Sequence, residues 1–267
     1  MSKYGKIIAS IFSEKYAEPM EEVPFTRDDL IAHAHQLGIA PPKNLGDIVY
    51  SFRYRVDLPE DISKTVPDGF TWIIVGTGDA RYSFIKSRKS NIIPNTSLLS
   101  VRIPNNTPEI LTMYSLSDEQ SLLSMVRYNK ILDLFLGIVT YSMQNHLRTR
   151  VAGIGQIEID ELYMGVNKIG QHFIIPVQAK LGNDKIGAVQ LFQDITFCQV
   201  RFPDLICIPI AVHFSEVDNR ICMFRLTLDH YSVSIVDEKH YRLLQSDAFD
   251  DGYIRGVNAG NTPLLLD

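Results

Sequence analysis

Four side chains near the middle of the chain have the types and spacing that metal-assisted hydrolysis uses. In Gln156-Ile-Glu-Ile-Asp-Glu161, strand alternation puts Ile157 and Ile159 on one face and Glu158 and Asp160 on the other. Carboxylates that share a face repel unless a cation binds them. A hard divalent ion such as Mg²⁺, with Mn²⁺ as a substitute, takes carboxylate, amide carbonyl and water oxygens. In a second run, His172-Phe-Ile-Ile-Pro-Val-Gln-Ala-Lys180, Gln178 and Lys180 share the face opposite Phe173, Ile175, Val177 and Ala179. Gln178 offers an amide oxygen. Lys180 can orient an attacking water, help deprotonate it, or stabilise charge on a phosphate. Phosphodiester hydrolysis needs this set. From spacing alone, the competing reading is an exposed polar strand face with a Glu/Lys cross-strand pair.

Several elements must position these groups. Gly165-Val-Asn-Lys-Ile-Gly170 is turn material, so the two strands are expected to pair as a hairpin that brings Glu158 and Asp160 beside Gln178 and Lys180. A helix is expected from Asp184 to about Val200, with Gln190 and Gln193 three apart on one side, and then a strand over Leu205–Phe214. Upstream, Ser117-Asp-Glu-Gln reads as a capping box. It opens a long helical region whose apolar face runs through Leu122, Met125, Leu132, Leu136, Val139 and Met143 and ends near His146 to Arg150.

The first third reads as three helices and a hairpin. Lys3–Lys15 is the first helix. The second starts at Phe25-Thr-Arg-Asp-Asp-Leu30, with Thr26 as N-cap, Asp29 at N3 and a Phe25/Leu30 staple, and ends at Gly38. Asn44 caps a third with Leu45, Ile48 and Phe52 buried and Lys43, Asp47, Ser51 and Tyr54 outward. Phe70–Val75, a Gly76–Asp79 turn and Arg81–Lys86 form the hairpin, and residues 91–113 look like a connector. This is the order of a winged helix-turn-helix, in which the last helix enters the DNA major groove and the hairpin lies against the backbone. The division expected is 1–112 for DNA recognition and 113–267 for catalysis.

The 267 residues are 45% hydrophobic and 21% charged, as in a soluble globular protein of one or two domains. With 26 Lys+Arg against 31 Asp+Glu, net charge −5, a uniformly basic nucleic-acid binder is excluded. A local basic surface is not: Ala80–Pro108 holds Arg81, Lys86, Arg88, Lys89 and Arg102 and no acid. Lys43, Ser51 and Arg53 join Arg81, Lys86, Arg88 and Lys89 as candidate DNA contacts. Cys198, Cys207 and Cys222 have no CxxC spacing, so neither a disulfide framework nor a zinc site is expected. No signal peptide, membrane span or P-loop is apparent.

Asp160, seventeen intervening residues, then Gln178-Ala-Lys180 resembles the motif of the PD-(D/E)XK nuclease superfamily, in the variant with Gln at the second acid, as in some type II restriction endonucleases. Gln144-Asn-His-Leu-Arg148, Gly155–Gly165 and Pro176–Lys180 are similar to a group of prokaryotic restriction-endonuclease-like proteins. The resemblance implies an α/β, mixed-sheet core with the order helix, hairpin, helix, strand. It implies Asp160 as metal ligand, Gln178 as second ligand or positioner and Lys180 as catalytic lysine. No Pro precedes Asp160, and Gln178 brings no charge, so Glu158 is the candidate for the missing anion. Related nucleases often place a glutamine near the metal or the DNA, so the resemblance offers Gln190 or Gln193 for that place against the plainer reading of glutamines on an exposed helix face, which their spacing favours, and His146 and His172 read as structural or DNA-contacting. Double-stranded DNA as substrate, a homodimer and a cytoplasmic setting follow by the same resemblance. Two other functions stay open: a structure-specific repair nuclease, and an inactive DNA-binding regulator.

Overall fold

A computed structural model describes residues 1–89, 92–114, 118–182 and 187–245. The elements in chain order are α1 (Lys3–Lys15), β1 (Glu22–Thr26), α2 (Arg27–Gln36), α3 (Gly46–Tyr54), α4 (Glu60–Ser63), β2 (Phe70–Gly78) and β3 (Arg81–Arg88). There follow β4 (Ser100–Pro104), α5 (Glu109–Tyr114), α6 (Glu119–Tyr128), α7 (Ile131–Leu136), β5 (Val139–Val151), β6 (Gly155–Val166) and β7 (His172–Leu181). The chain continues through α8 (Ala188–Arg201), β8 (Ile206–Cys207), β9 (Ile210–Ser215), β10 (Arg220–Asp229) and β11 (Ser232–Leu244). The class is mixed α/β. No helix among the described residues is long and apolar enough to cross a membrane.

The first seven elements enclose one core. Ile7, Ile11 and Phe12 of α1, Leu30 of α2 and Ile48 of α3 pack on Phe25, Trp72 and Phe84 of a three-stranded antiparallel sheet in the order β1-β3-β2. The start of α2 forms as its sequence dictates: Thr26 Oγ1 accepts from the Asp29 N–H, and the Asp29 carboxylate accepts from the Thr26 N–H at 2.7 Å. In α3, Ile48 and also Val49 are buried, and Asn44 Oδ1 takes the Gly46 N–H at 3.1 Å.

The second sheet has eight strands, β4-β11-β10-β9-β7-β6-β5, with β8 beside β7. It is mixed: β7 runs parallel to β8 and β9, and β4 parallel to β11, while the other neighbours are antiparallel. Strand β7 is covered on both sides. Phe173, Ile175, Val177 and Ala179 meet α6 and α7 in one core, and Ile174 meets Cys198 of α8 in another. Cys198 and Cys222 behave as buried hydrophobes, as expected.

Three expectations need correction. The long helix does not continue to His146. Lys130 (φ +52°) separates α6 from α7, Gly137 (φ +67°) ends α7 in a left-handed turn, and Val139–Val151 is strand β5. The β-branched and aromatic residues of this stretch prefer the pleat, and an apolar face every third or fourth residue imitated a helix. The connector at 91–113 contains β4, which adds to the eight-stranded sheet beside β11, so that sheet draws strands from both sides of residue 112. Asp118, not Ser117, caps α6 by accepting from the Ser121 N–H at 2.9 Å. Ser117 and the expected helix start at Asp184 lie outside the described residues.

Candidate active site

The hairpin β6–β7 forms in antiparallel register from Glu161↔Val177 to Val166↔His172. Towards the site the two strands part. Asp160 has no ladder partner in β7, and none in β5, where His146 opposite takes a positive φ of 50°. The gap leaves the Ala179 N–H free of a strand partner on that side, and it donates to Asp160 Oδ2 at 2.9 Å. Asp160 and the face of Lys180 are thereby brought to one place, as the alternation of each strand requires. Burial pushes the Asp160 carboxyl above its ordinary range. Glu119 and Glu158 add to the rise, and the Ala179 N–H and Lys180 oppose it.

Gln178 is buried, with 1% of its surface exposed, and both polar atoms of its amide have partners. Nε2 donates to Asp194 Oδ2 at 2.8 Å and to the Glu158 carbonyl at 3.1 Å, and Oε1 accepts from Gln190 Nε2 at 2.5 Å. Glu158 turns the other way. Its carboxylate takes Arg148, its cross-strand neighbour in β5, at 3.0 Å, and lies 3.5 Å from His146. Of the candidate set, then, Asp160, Lys180 and Gln178 converge, while Glu158 reaches them through its backbone.

Helix α8 closes the back of the site. Gln190, Gln193 and Asp194 stand at i, i+3 and i+4 and so share one helix face. Asp194, which sequence reasoning missed, is fully buried beneath Gln178, and burial raises its carboxyl well above the carboxylate range, with Asp160 adding to the rise. The spacing that singled out the two glutamines extends to it. Gln193 Oε1 accepts from the Tyr54 hydroxyl of α3 at 2.6 Å. Glu119, the first residue of α6, acts electrostatically on Asp160 and was masked in the sequence by its role near a helix cap.

Asp160 and Lys180 open on a cleft of about 2770 Å³ between the eight-stranded sheet and the first seven elements. Small-molecule pockets run to roughly 1,000 Å³, so this cleft is larger than such a pocket. Arg53, Arg88 and Lys89 line it, with Arg148 and Arg150 from the β5–β6 side and Ser51 beside them. Lys43, Arg81 and Lys86 do not line it. Lys86 instead lies 3.6 Å from Glu21 and over the Phe70 ring. On the α3 wall the rings of Tyr50 and Tyr54 lie 4.9 Å apart, with Arg55 over the first and Arg53 over the second. In the cleft lining Gly76 approaches so closely that a Cβ there would stand 2.7 Å from the Ile154 carbonyl oxygen.

Among the described residues no group of three or more His, Cys, Asp and Glu side chains is gathered to hold a metal. The residues present fit a lightly coordinated ion: Mg²⁺ is held by one or two carboxylates and completes its shell with water and phosphate oxygens. Asp160 supplies one, open to the cleft beside Lys180. No family model, no curated protein and no solved structure matches the chain.

Proposed function

We propose that this chain is a divalent-metal-dependent DNA endonuclease of the restriction type, with a winged-helix-like recognition module before a PD-(D/E)XK-type core. The observation that carries the reading is Asp160, pinned by the Ala179 N–H where β6 and β7 part, with Lys180 following on the same strand at the floor of an arginine-lined cleft. The element order α1-β1-α2-α3-β2-β3, interrupted only by the single-turn α4, and the sheet order β1-β3-β2 support the winged-helix half. The exposed α3 residues and the β3 end at Arg88 face the cleft, as a recognition helix and a wing strand would.

In this reading Asp160 would hold Mg²⁺, with Glu119 the second carboxylate of its surroundings. The ion would neutralise charge on the scissile phosphate and lower the pKa of the attacking water. Lys180 orients that water or stabilises the phosphate oxygens as charge builds in the transition state. Gln178 acts as positioner. Arg88, Lys89 and Arg148 hold the DNA backbone, and Arg53 and the tyrosines of α3 meet the groove. On a palindromic site, two copies would cut the two strands symmetrically.

The test is incubation of the full chain with unmethylated plasmid and Mg²⁺, then with EDTA. Discrete fragments in Mg²⁺ alone support the proposal. A smear points to non-specific or structure-specific cutting, and intact plasmid with a gel shift points to a DNA-binding regulator.

A further inference from the structure

Asp194 is a buried acid to which the proposed chemistry gives no task. It lies on α8 with 1% exposure, its Oδ2 takes the Gln178 amide, and its Oδ1 has no partner among the described residues. Gln190 approaches the same amide from the other end. The three bonds leave Gln178 one orientation. Rotated by half a turn, its oxygen would face the Glu158 carbonyl, which has no proton to donate, and its NH₂ would face the Gln190 NH₂ as that side chain now stands.

The location of that amide matters more than its saturation. Between Glu158 and Gln178 the ladder of β6 and β7 has already lapsed, since the last paired residues are Glu161 and Val177. The Gln178 Nε2 to Glu158 carbonyl bond bridges the parted strands on one side of Asp160, and the Ala179 N–H to Asp160 bond bridges them directly. A side-chain amide thus replaces missing ladder bonds.

We propose that Gln178 is a cross-strand staple, and that Asp194 and Gln190 are positioning residues which lock its amide and so set the distance between Asp160 on β6 and Lys180 on β7. The consequence for cleavage rests on the nuclease reading above; the staple itself does not. It also separates Gln178 from a metal ligand. A ligand would gain from a carboxylate, whereas the staple would lose its only donors and place a second acid against Asp194.

The experiment has two arms on the ¹⁵N-labelled full chain and its variants. In the first, without DNA or metal, the side-chain NH₂ pair of Gln178 is assigned by its loss in Gln178→Ala and its hydrogen exchange is measured. Wild type should show a separated, slowly exchanging pair. Asp194→Ala and Gln190→Ala should speed exchange by about tenfold or more, and Asp194→Asn, which keeps the acceptor, should restore the protection. Unchanged protection in both alanine variants would overturn the staple. In the second arm, Asp194→Ala should slow Mg²⁺-dependent plasmid cleavage by about tenfold with DNA half-saturation unchanged, and Gln178→Glu should also slow it. Faster cleavage or tighter metal dependence in Gln178→Glu would make Gln178 a ligand and overturn the proposal. If wild type fails to cut, the nuclease reading falls while the exchange arm still decides the staple.

Discussion

The Tyr54 hydroxyl donates to Gln193 Oε1 at 2.6 Å, tying the last turn of α3 to α8 across 139 residues of chain. The ring is partly exposed to the cleft while its hydroxyl is held at the helix that carries Gln190 and Asp194. Burial raises the Tyr54 phenol above its ordinary value, so at neutral pH it is a donor. The helix proposed to read DNA therefore shares a hydrogen bond with the helix that supports β6 and β7, the strands proposed to be catalytic.

Tyr54→Phe removes only that hydroxyl. It should lower unfolding free energy by about 1 kcal/mol, the usual worth of one intramolecular hydrogen bond. If the bond also aligns the cleft walls, cleavage should slow more than DNA affinity falls. Urea unfolding together with cleavage and binding titrations reads both, and a variant identical to wild type in all three would mean the bond aligns nothing.

The charged surface divides by position. Arg88 and Lys89 line the cleft; Lys43, Arg81 and Lys86 do not. Reversing charge at Arg88 and Lys89 should weaken DNA binding and flatten the log–log salt slope by roughly 1 for each phosphate that is no longer neutralised. Reversal at Lys43 and Arg81 should leave the slope in place. Equal effects from the two pairs would refute this assignment of the DNA path.

Glu161, the neighbour of Asp160, is fully buried and accepts from both Nε and Nη2 of Arg127 at 2.9 Å and from Ser142 Oγ at 2.5 Å. Arg127→Met would strand this carboxylate and should cost about 3–5 kcal/mol. Adding Glu161→Leu should recover most of that loss, because the desolvation penalty disappears with the charge. Chemical unfolding of the single and double variants checks this. A double variant no more stable than the single one would show that Glu161 has a further role.

Much of this arrangement was legible in the sequence because it rests on local rules. Thr26 and Asp29 gave the start of α2, and period-two alternation gave the shared faces of β6 and β7. What escaped depends on tertiary contact. Val139–Val151 carries both periodicities, and only its pairing with β6 decides for a strand. Strand β4 exists because β11 lies beside it, and β10 and β11 carry no motif of their own. Glu158 looked like a ligand because alternation gives a face, while Arg148 opposite it comes from the register. Asp194 was within reach of the helical spacing but lacked any signal that it is buried under Gln178.

The central claim is that Asp160 and Lys180 cut DNA together, and plasmid cleavage in Mg²⁺ by wild type, Asp160→Ala and Lys180→Ala, with DNA affinity measured in parallel, tests it most directly. Wild type should give discrete fragments that vanish in EDTA. Both variants should bind DNA within about threefold of wild type yet cleave at least about a hundredfold more slowly, because the two side chains act on the transition state more than on binding. Undiminished cleavage in Asp160→Ala, or in wild type with EDTA, would contradict the account.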